Sequence, residues 1–427
     1  MTLSVGVARR IITPKVGGLL FGYNDHTRSK SVNDDLTVTA LYFKTEKTTA
    51  ILLSATVCLI STDLVDEIRK KIESKTGIPG CNIIVSATHT HSGPVTTEFK
   101  GFESFGYIDR EYCDSIFIPN CIDVCVAAME NPKEALMGVG TTNSNVGINR
   151  RQLLENNTVT LGQNPWGPYD STMTVISFVD ANEKKPLANI VHVGAHPTAA
   201  GINTEITRDW VGVMMDRLDI ESGATTLFIN GTLGDVAPRM ANGGSTGDLK
   251  HAMEVGGLAG IDAVRAFKSI RTYYDEAFKV VYGKIKIPFK PPIPKDDIPD
   301  LLNKCTKNEK FKYASLMKLQ KMYENKNMGS DNWTYNQVLF RIGPVVLVPY
   351  PFEVFSEIGL RLRNYSPYAH TLTISCTNGC NSYLPTQSQI CRGGYEINSF
   401  LWFRPRQLPD DTDFRLIKQN LKLIKKF

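Results

Sequence analysis

Strand and helix patterns alternate along most of this chain, and that alternation limits the fold more than any other feature. The segments LTVTALYF (36–43), TAILLSAT (49–56) and NIIVSAT (82–88) predict strands, and a helix is predicted from about Asp63 to Lys75. A succession of strand, helix and strand favours parallel pairing with helices on the sheet faces. The sequence therefore predicts a mixed α/β fold with largely parallel sheets and helices on the faces, built as a single large domain.

The same alternation continues through the middle of the chain and resumes near its end. Strands are predicted at 173–179, 188–193, 225–230 and 371–376, with two more in VLFRIGPVVLVPY (338–350). Helices are predicted at 110–129 with a kink at Pro119, and at 209–220, 249–270 and 353–364. KPPIPKDDIPD (290–300) predicts a proline-rich linker within a helical insertion at about 288–330. Because strands resume afterwards, we expect one domain over 1–427.

Charge and cysteine content argue against several classes of protein. The net charge is +5 over 427 residues, and the basic run Lys418–Lys426 predicts a solvated helix rather than a nucleic-acid patch. The nine cysteines form no CxxC pair, and the first residues lack the apolar run of a signal peptide. No stretch of 18 apolar residues occurs. We therefore expect a cytoplasmic protein with no nucleic-acid partner and no transmembrane segment.

Four of the seven histidines fall into two short clusters, of which SATHTHSGP (86–94) is the first. Side chains of an extended segment repeat every two residues, so His89 and His91 should point to the same side. Open α/β sheets bind ligands at the carboxyl ends of their strands, and neutral imidazole is a common zinc ligand. The pair predicts a metal site, and two polar loop histidines are the alternative.

The second cluster is HVGAHPT (192–198). His192 lies within a predicted strand and is expected to pack in the sheet. His196 follows that strand, in the same kind of position as His89. A helical metal pair is the alternative, which Gly194 and Pro197 disfavour.

Two histidines do not complete a catalytic zinc site, which takes three or four protein ligands. The chain has 43 acidic residues, and no pattern selects one of them. Glu353 is a candidate because it follows a predicted strand, but an acid that stabilises a helix N-terminus is an equal interpretation. The HExxH and His-x-His-x-Asp-His patterns of other zinc proteins are absent.

Taken together, several motifs resemble those of one known family. They are SATHTHSGP (86–94), HPT (196–198), NGTLGDVAPR (230–239), PFEVFSE (351–357) and SYLPTQSQICRGGYE (382–396), with GVARRIITP (6–14) and GY (22–23) before them. In this order they resemble the neutral/alkaline non-lysosomal ceramidase family, from about residue 5 to residue 400.

The resemblance implies a set of site residues. In that family two histidines, a glutamate and a tyrosine hold a single zinc ion, and the matching positions are His89, His196, Glu353 and Tyr383. The second histidine of HTH, an arginine and a second tyrosine are also used, and these match His91, Arg150 and Tyr395.

Two departures from the family pattern bear on the substrate. A serine of the family's GDVSP segment is Ala237 here. We also expect no C-terminal immunoglobulin-like domain and no secretion signal, so the chain is similar to the N-terminal catalytic domain alone.

The resemblance implies a zinc-dependent hydrolase of an N-acyl amide, with a ceramide-like lipid as one candidate substrate. Zinc would activate water, His91 would transfer the proton, and Arg150 and Tyr395 would stabilise the oxyanion. Two alternatives stay open: a hydrolase of a small polar amide, ester or peptide, and a zinc-containing binding protein without activity. An apolar tunnel would favour the lipid, a charged cleft the polar substrate, and closed four-ligand coordination the binding protein.

Some roles are left open by the sequence. Asp209 and Asp235 either orient a ligand histidine or act as a helix cap and a turn acid. A group of late aromatic residues either lines an acyl pocket or belongs to the core: Tyr350, Phe352, Phe355, Phe400, Trp402 and Phe403. The sequence does not decide the oligomeric state or distinguish zinc from another divalent metal.

Overall fold

The regular structure of the protein comprises many strands and fewer helices. The computed structural model describes residues 3–23, 26–98, 107–306 and 309–427. Numbered in chain order, the strands are β1 Ser4–Ile11, β2 Ser31–Val32, β3 Thr37–Lys44, β4 Thr49–Ala55, β5 Ile83–Ala87, β6 Lys133–Asn143, β7 Gly147–Asn149, β8 Arg151–Leu153, β9 Val159–Leu161, β10 Thr172–Asp180, β11 Pro186–Val193, β12 Glu205–Ile206, β13 Thr225–Asn230, β14 Val236–Pro238, β15 Phe278–Pro288, β16 Asn332–Ile342, β17 Val345–Pro349, β18 Glu353–Val354, β19 His370–Ile374 and β20 Tyr383–Leu384. The helices are α1 Thr62–Thr76, α2 Arg110–Tyr112, α3 Ile118–Glu130, α4 Asp209–Ser222, α5 Leu249–Lys268, α6 Ile298–Asn303, α7 Lys310–Glu324, α8 Ser356–Tyr365, α9 Gln387–Ile390, α10 Tyr395–Trp402 and α11 Thr412–Ile424.

These elements form four layers, with two sheets packed face to face between two layers of helices. The larger sheet has eight strands in the order β13-β11-β10-β6-β1-β3-β4-β5. Helices α1 and α3 cover one end of its outer face, and α4 and α5 cover the other end. Its inner face packs on the four-stranded sheet β15-β16-β17-β19, whose own outer face carries α8, α10 and α11. Buried strand residues consequently alternate between layers, so Val175 faces the helices and Ile176 faces the second sheet.

The predicted mixed α/β class is confirmed, but the expectation of largely parallel sheets is wrong. Among the described strands of the larger sheet, only β4–β5 and β11–β13 pair in parallel, and the other five pairs are antiparallel. Parallel neighbours need a crossover of a dozen or more residues. Lys44 and Thr49 are too close for that, so β3 and β4 form a hairpin. Strands do pair in parallel where a helix connects them, as α1 connects β4 and β5.

The helix predicted at 110–129 runs from Arg110 to Glu130 and contains a π-helical turn at Cys113–Phe117. This turn ends two residues before Pro119, whose missing N–H interrupts the helical hydrogen-bond ladder. By length and composition alone this helix would suffice to cross a membrane. Its α3 portion packs on β1 and β3, as the core helix of a globular domain does.

In the C-terminal part, the helix predicted to begin at Glu353 begins later in the chain. The helix begins at Ser356, and Glu353 lies in the short strand β18, so it is not the N-terminal acid of a helix. Strand β18 pairs in parallel with β20, and their register places Glu353 directly opposite Tyr383. Helices α6 and α7 occupy the segment predicted as a helical insertion.

Candidate metal centre

The predicted metal ligands come from four separate segments that meet in one place. His89 follows β5, His196 follows β11, and Glu353 and Tyr383 lie in the paired strands β18 and β20. The two histidine segments are tied together by Asn230 at the end of β13. Its amide nitrogen donates to the carbonyl oxygens of Thr88 (2.9 Å) and Ala195 (3.0 Å). Its carbonyl oxygen accepts the Ala195 N–H at 3.2 Å.

Three ligand atoms converge at the centre of this arrangement. Oε2 of Glu353 lies 3.0 Å from Nε2 of His196 and 3.4 Å from Nε2 of His89. A tetrahedron with metal–ligand bonds of about 2.1 Å has edges of roughly 3.4 Å, so these separations fit one small cation. All three side chains are buried.

His89 and His196 each make hydrogen bonds through Nδ1, the ring nitrogen that points away from the cluster. These bonds identify Nε2 as the nitrogen that is free to bind a cation. Nδ1 of His89 lies 2.9 Å from the Cys58 carbonyl oxygen. Nδ1 of His196 lies 2.7 Å from the Leu233 carbonyl oxygen and 2.9 Å from that of Val236. A carbonyl only accepts, so each Nδ1 carries a proton and each Nε2 of a neutral ring presents a lone pair. With both rings neutral, two lone pairs and a carboxylate facing one another fit a bound cation.

The electrostatics of the cluster also favour a positive charge at its centre. Burial, together with the Arg150 charge, lowers the pKa of His196 to about 4, so this ring is neutral. Burial raises the pKa of Glu353, but the charges and hydrogen bonds of His89 and His196 outweigh burial and leave this pKa well below its ordinary value. Burial lowers the pKa of His89, but the charges of Cys376, Cys58 and Glu353 outweigh burial and hold this pKa well above its ordinary value. The centre therefore combines an ionised carboxylate and a neutral His196, the forms that bind a metal, with a positive charge on His89 that a bound cation would replace.

His91 stands beside the three ligand atoms. Its Nε2 lies 3.4 Å from Nε2 of His89, and its Nδ1 is buried without a hydrogen-bond partner among the described residues. Burial and the charges of His89 and His196 hold the pKa of His91 well below its ordinary value, which keeps the ring neutral. The expected alternation along a strand is not the reason that the pair converges. His89 lies beyond β5 with a φ of 80°, a left-handed conformation that is uncommon outside glycine.

Gly22 makes room for the His91 ring. A Cβ atom at position 22 would lie 2.5 Å from Cγ and Nδ1 of His91, and the φ of Gly22 is +131°. The edge of the Tyr23 ring also packs on His91, with ring centroids 4.8 Å apart. The GY motif at 22–23 therefore shapes the position of His91, a role that sequence reasoning did not assign to it.

Tyr383, Arg150 and Tyr395 lie together beside Glu353. Strand pairing places Tyr383 directly opposite Glu353, and the Tyr383 ring packs against that of Tyr395 with centroids 5.6 Å apart. Arg150 donates to the Tyr383 hydroxyl at 3.1 Å. Burial, then the charges of Glu353 and Tyr395, raise the pKa of Tyr383 well above its ordinary value. Tyr383 is thus a phenol beside the cluster, and its role as a fourth ligand stays a prediction.

Glu396 holds the arginine in place, and sequence reasoning missed this role. Its Oε1 accepts from Nε of Arg150 at 2.8 Å, and its Oε2 accepts from Arg151 at 2.6 Å. Glu396 is fully buried and follows Tyr395 at the start of α10. The only sequence signal was its place in the GGYE motif, because the partners are distant in the chain.

Neither aspartate left open by the sequence touches a ligand histidine. Asp209 accepts the backbone N–H groups of Ala199, Ala200 and Trp210, and Asp235 binds Asn149 and Ser356. Backbone carbonyls orient the ligand histidines instead. Ala237 lies buried in β14. Its neighbour Val236 provides one of those carbonyls, so the replaced serine adjoins the ligand shell without belonging to the ligand set.

Two neighbouring cavities lie at the candidate metal centre. One of about 60 Å³ is lined by His89, His91, Glu353, Tyr383 and Tyr395, among others. This volume holds a few water molecules, far less than the 300 Å³ or so at which pockets for drug-sized ligands begin. A second pocket of about 510 Å³ shares Cys380 and Phe403 with it.

Most of the late aromatic residues belong to the core, and one of them lines the two cavities. Four of them belong to the buried core beneath the second sheet: Tyr350, Phe352, Phe355 and Phe400. Phe403 lines both cavities. The acyl-pocket interpretation therefore does not hold for these four.

Comparison with known proteins places this geometry in a known fold. No family model matches the chain, and no curated protein matches it. Among solved structures, the neutral ceramidase from Pseudomonas aeruginosa superposes with a TM-score of 0.77 at 16% identity, over 100% of this chain and 75% of that one. A structure described as ceramidase complexed with C2 gives a TM-score of 0.76 at 15% identity, over 99% and 75%. The chain therefore has the fold of the neutral ceramidases.

Proposed function

We propose that this protein is a zinc-dependent hydrolase of an N-acyl amide bond. The observation that carries the proposal is the convergence of His89 Nε2, His196 Nε2 and Glu353 Oε2 on one point, with His91 and Arg150 beside it. The likeness to ceramidase structures supports the reaction class. The motif resemblance supports zinc as the metal and Tyr383 as its fourth ligand.

The side chains around the candidate metal centre have different roles in the proposed amide cleavage. A divalent metal bound there would act as a Lewis acid that activates water and polarises the substrate carbonyl. His91, neutral and with a free nitrogen, accepts the proton of the attacking water and returns it to the leaving amine. Arg150, fixed by Glu396, and the Tyr395 hydroxyl face the same centre and stabilise the negative charge that develops on the carbonyl oxygen. A donor of this kind typically contributes about 3 kcal/mol.

A ceramide-like lipid is one candidate substrate, by likeness to the ceramidases. A small polar amide is the second candidate, and a specific observation favours it. The cavity at the ligands is only about 60 Å³, and the larger pocket beside it carries several charged side chains. Neither feature suits two long hydrocarbon chains.

A zinc-containing binding protein without activity is the third candidate. Structural zinc sites have no use for a neutral histidine and a fixed arginine beside the metal. Placement of His91 and Arg150 at the centre therefore favours an enzyme. We also propose a cytoplasmic location, which fractionation of cells that express the full chain would test.

Metal content and cleavage, measured on the same samples, test the proposal. Wild type, His89→Ala and Glu353→Ala would be purified and assayed with a short-chain fluorescent N-acyl sphingosine and with a short N-acyl amide of a polar amine. One zinc per chain that both substitutions remove, together with cleavage by wild type alone, is the expected result. Zinc without cleavage of either amide would favour the binding protein. A wild type without metal would overturn the proposal.

A further inference from the structure

Polar side chains from several segments line the pocket beside the metal centre, and Arg110 at the start of α2 is one of them. Helix α1 and the residues before it supply Ser61, Thr62, Asp63 and Glu67. The segment that runs alongside supplies Thr97 and Glu98, and Lys318 comes from α7. Leu64, Ile108, Cys380 and Phe403 form the apolar part.

Helix α7 lies along both cavities. Phe311 lines the small cavity at the ligands, and Lys318, seven residues later and therefore on the same helical face, lines the larger pocket. The helix is anchored on α10, which begins with Tyr395. Nζ of Lys312 lies 5.7 Å from the centre of the Trp402 ring. The segment predicted as an insertion thus forms a wall of the site.

Thr97 provides an independent sign that this pocket takes a polar ligand. The residue is 1% exposed, and its hydroxyl has no hydrogen-bond partner among the residues that the structure describes. A buried hydroxyl without a partner costs free energy, and such groups are uncommon in folded proteins. The neighbouring Thr96 is satisfied, since it donates to the Leu59 carbonyl oxygen at 2.5 Å. A ligand group bound in the pocket would satisfy Thr97.

We propose that this pocket, between α1 and α7, is a second substrate subsite that binds a polar, hydrogen-bonding group and disfavours a hydrocarbon chain. The inference rests on the proposed hydrolase function and narrows its substrate class. The preferred substrates are then amides in which one side is a polar group, held by Thr97 and Lys318, while the scissile bond lies at the metal ligands. Double-chain lipids are poor substrates on this account.

Binding of uncleavable analogues tests the subsite independently of catalysis. Two sulfonamides of equal length would be used, one with a hydroxylated alkyl group on nitrogen and one with a plain alkyl group. Their affinities for the full-length, zinc-loaded protein are measured by calorimetry. We expect wild type to bind the hydroxylated compound about tenfold more tightly.

Three substitutions assign that preference to residues. Thr97→Val preserves shape and removes the hydroxyl, and Lys318→Met preserves the aliphatic stem and removes the charge. Each should reduce the preference about fivefold, the effect of one hydrogen bond. Lys321→Met, on an exposed residue of the same helix that does not line the pocket, should leave it unchanged.

Two outcomes would overturn the subsite. One is equal or weaker binding of the hydroxylated compound by wild type, and the other is an unchanged preference in both pocket variants. Cleavage of the matching carboxamides is measured separately. Loss of cleavage with the binding preference intact would count against the hydrolase and leave the subsite standing.

Discussion

Glu353 and Tyr383 lie directly opposite each other in the parallel pair β18–β20, and the Glu353 charge adds to burial in raising the pKa of Tyr383. Each strand of this pair has only two residues. The pairing brings a carboxylate and a phenol from separate motifs to the same edge of the cluster. A short strand pair thus sets half of the candidate ligand shell, and the loops after β5 and β11 set the other half.

The first prediction concerns the metal. Glu353→Gln and His196→Ala should each abolish stoichiometric zinc binding, because each removes one of three converging ligand atoms. A metal that binds only the folded state at a thousand times its dissociation constant adds about 4 kcal/mol of stability. A chelator should therefore lower the melting temperature of wild type and leave the variants unaffected. His251→Ala, at a histidine outside the cluster, is the control. Equal zinc content in all four proteins would refute the ligand assignment.

The second prediction concerns Asn230, which joins the two histidine segments. Asn230→Ala removes three buried hydrogen bonds to Thr88 and Ala195. We expect a loss of about 2–4 kcal/mol in unfolding free energy, at about 1 kcal/mol per bond plus the cost of unpaired peptide groups. Zinc affinity should fall as well. Asn189→Ala, at a buried asparagine bonded to Ser222, should destabilise the protein without weakening zinc. Zinc affinity that falls equally in both variants would contradict the bridging role.

The third prediction concerns the position of His91. Gly22→Ala should displace the His91 ring, because the new Cβ would overlap it at 2.5 Å. The catalytic rate constant should fall while zinc content is retained. His91→Gln should lower it about 100-fold or more, the usual effect of losing a general acid–base. Gly17→Ala is matched in positive φ and has no neighbour within 4 Å, so its activity should be near that of wild type. If Gly22→Ala and Gly17→Ala lost equal activity, backbone strain alone would explain the loss, and the proposed overlap with His91 would be refuted.

The fourth prediction concerns Glu396 and pH. Burial raises the pKa of Glu396, but Arg150 and Arg151 outweigh burial and leave this pKa below its ordinary value. The ionised carboxylate therefore stabilises the fold above the unfolded pKa of about 4.3. This stabilisation is lost as the pH falls through the lower folded pKa.

Glu396→Gln leaves two buried arginines without their carboxylate, so we expect a loss of about 3–5 kcal/mol near neutral pH. The difference from wild type should shrink in denaturant titrations below about pH 4. Glu357→Gln, at a more exposed pair with Arg361, should cost under about 1 kcal/mol. A difference that stays constant with pH would contradict the ion-pair account.

The sequence anticipated nine of the twenty described strands and most of the longer helices, but not how the strands pair. Strands β1, β6 and β15 were not predicted, and two of them, β1 and β6, lie in the middle of the larger sheet. Their presence makes the sheet mostly antiparallel. Hydrophobic alternation identifies a strand, but strand order depends on contacts between residues far apart in the chain.

What the sequence determined by itself was local. The spacing of HTH, the strand-end position of His196 and the ordered motifs around Glu353 and Tyr383 are read directly from the chain. Only the tertiary structure decided which atoms meet. The roles of Glu396, Asn230, Gly22 and Thr97 depend on partners distant in sequence. The same holds for the polar pocket under α7, because burial and hydrogen bonding are properties of the packed chain and leave no pattern in its local sequence.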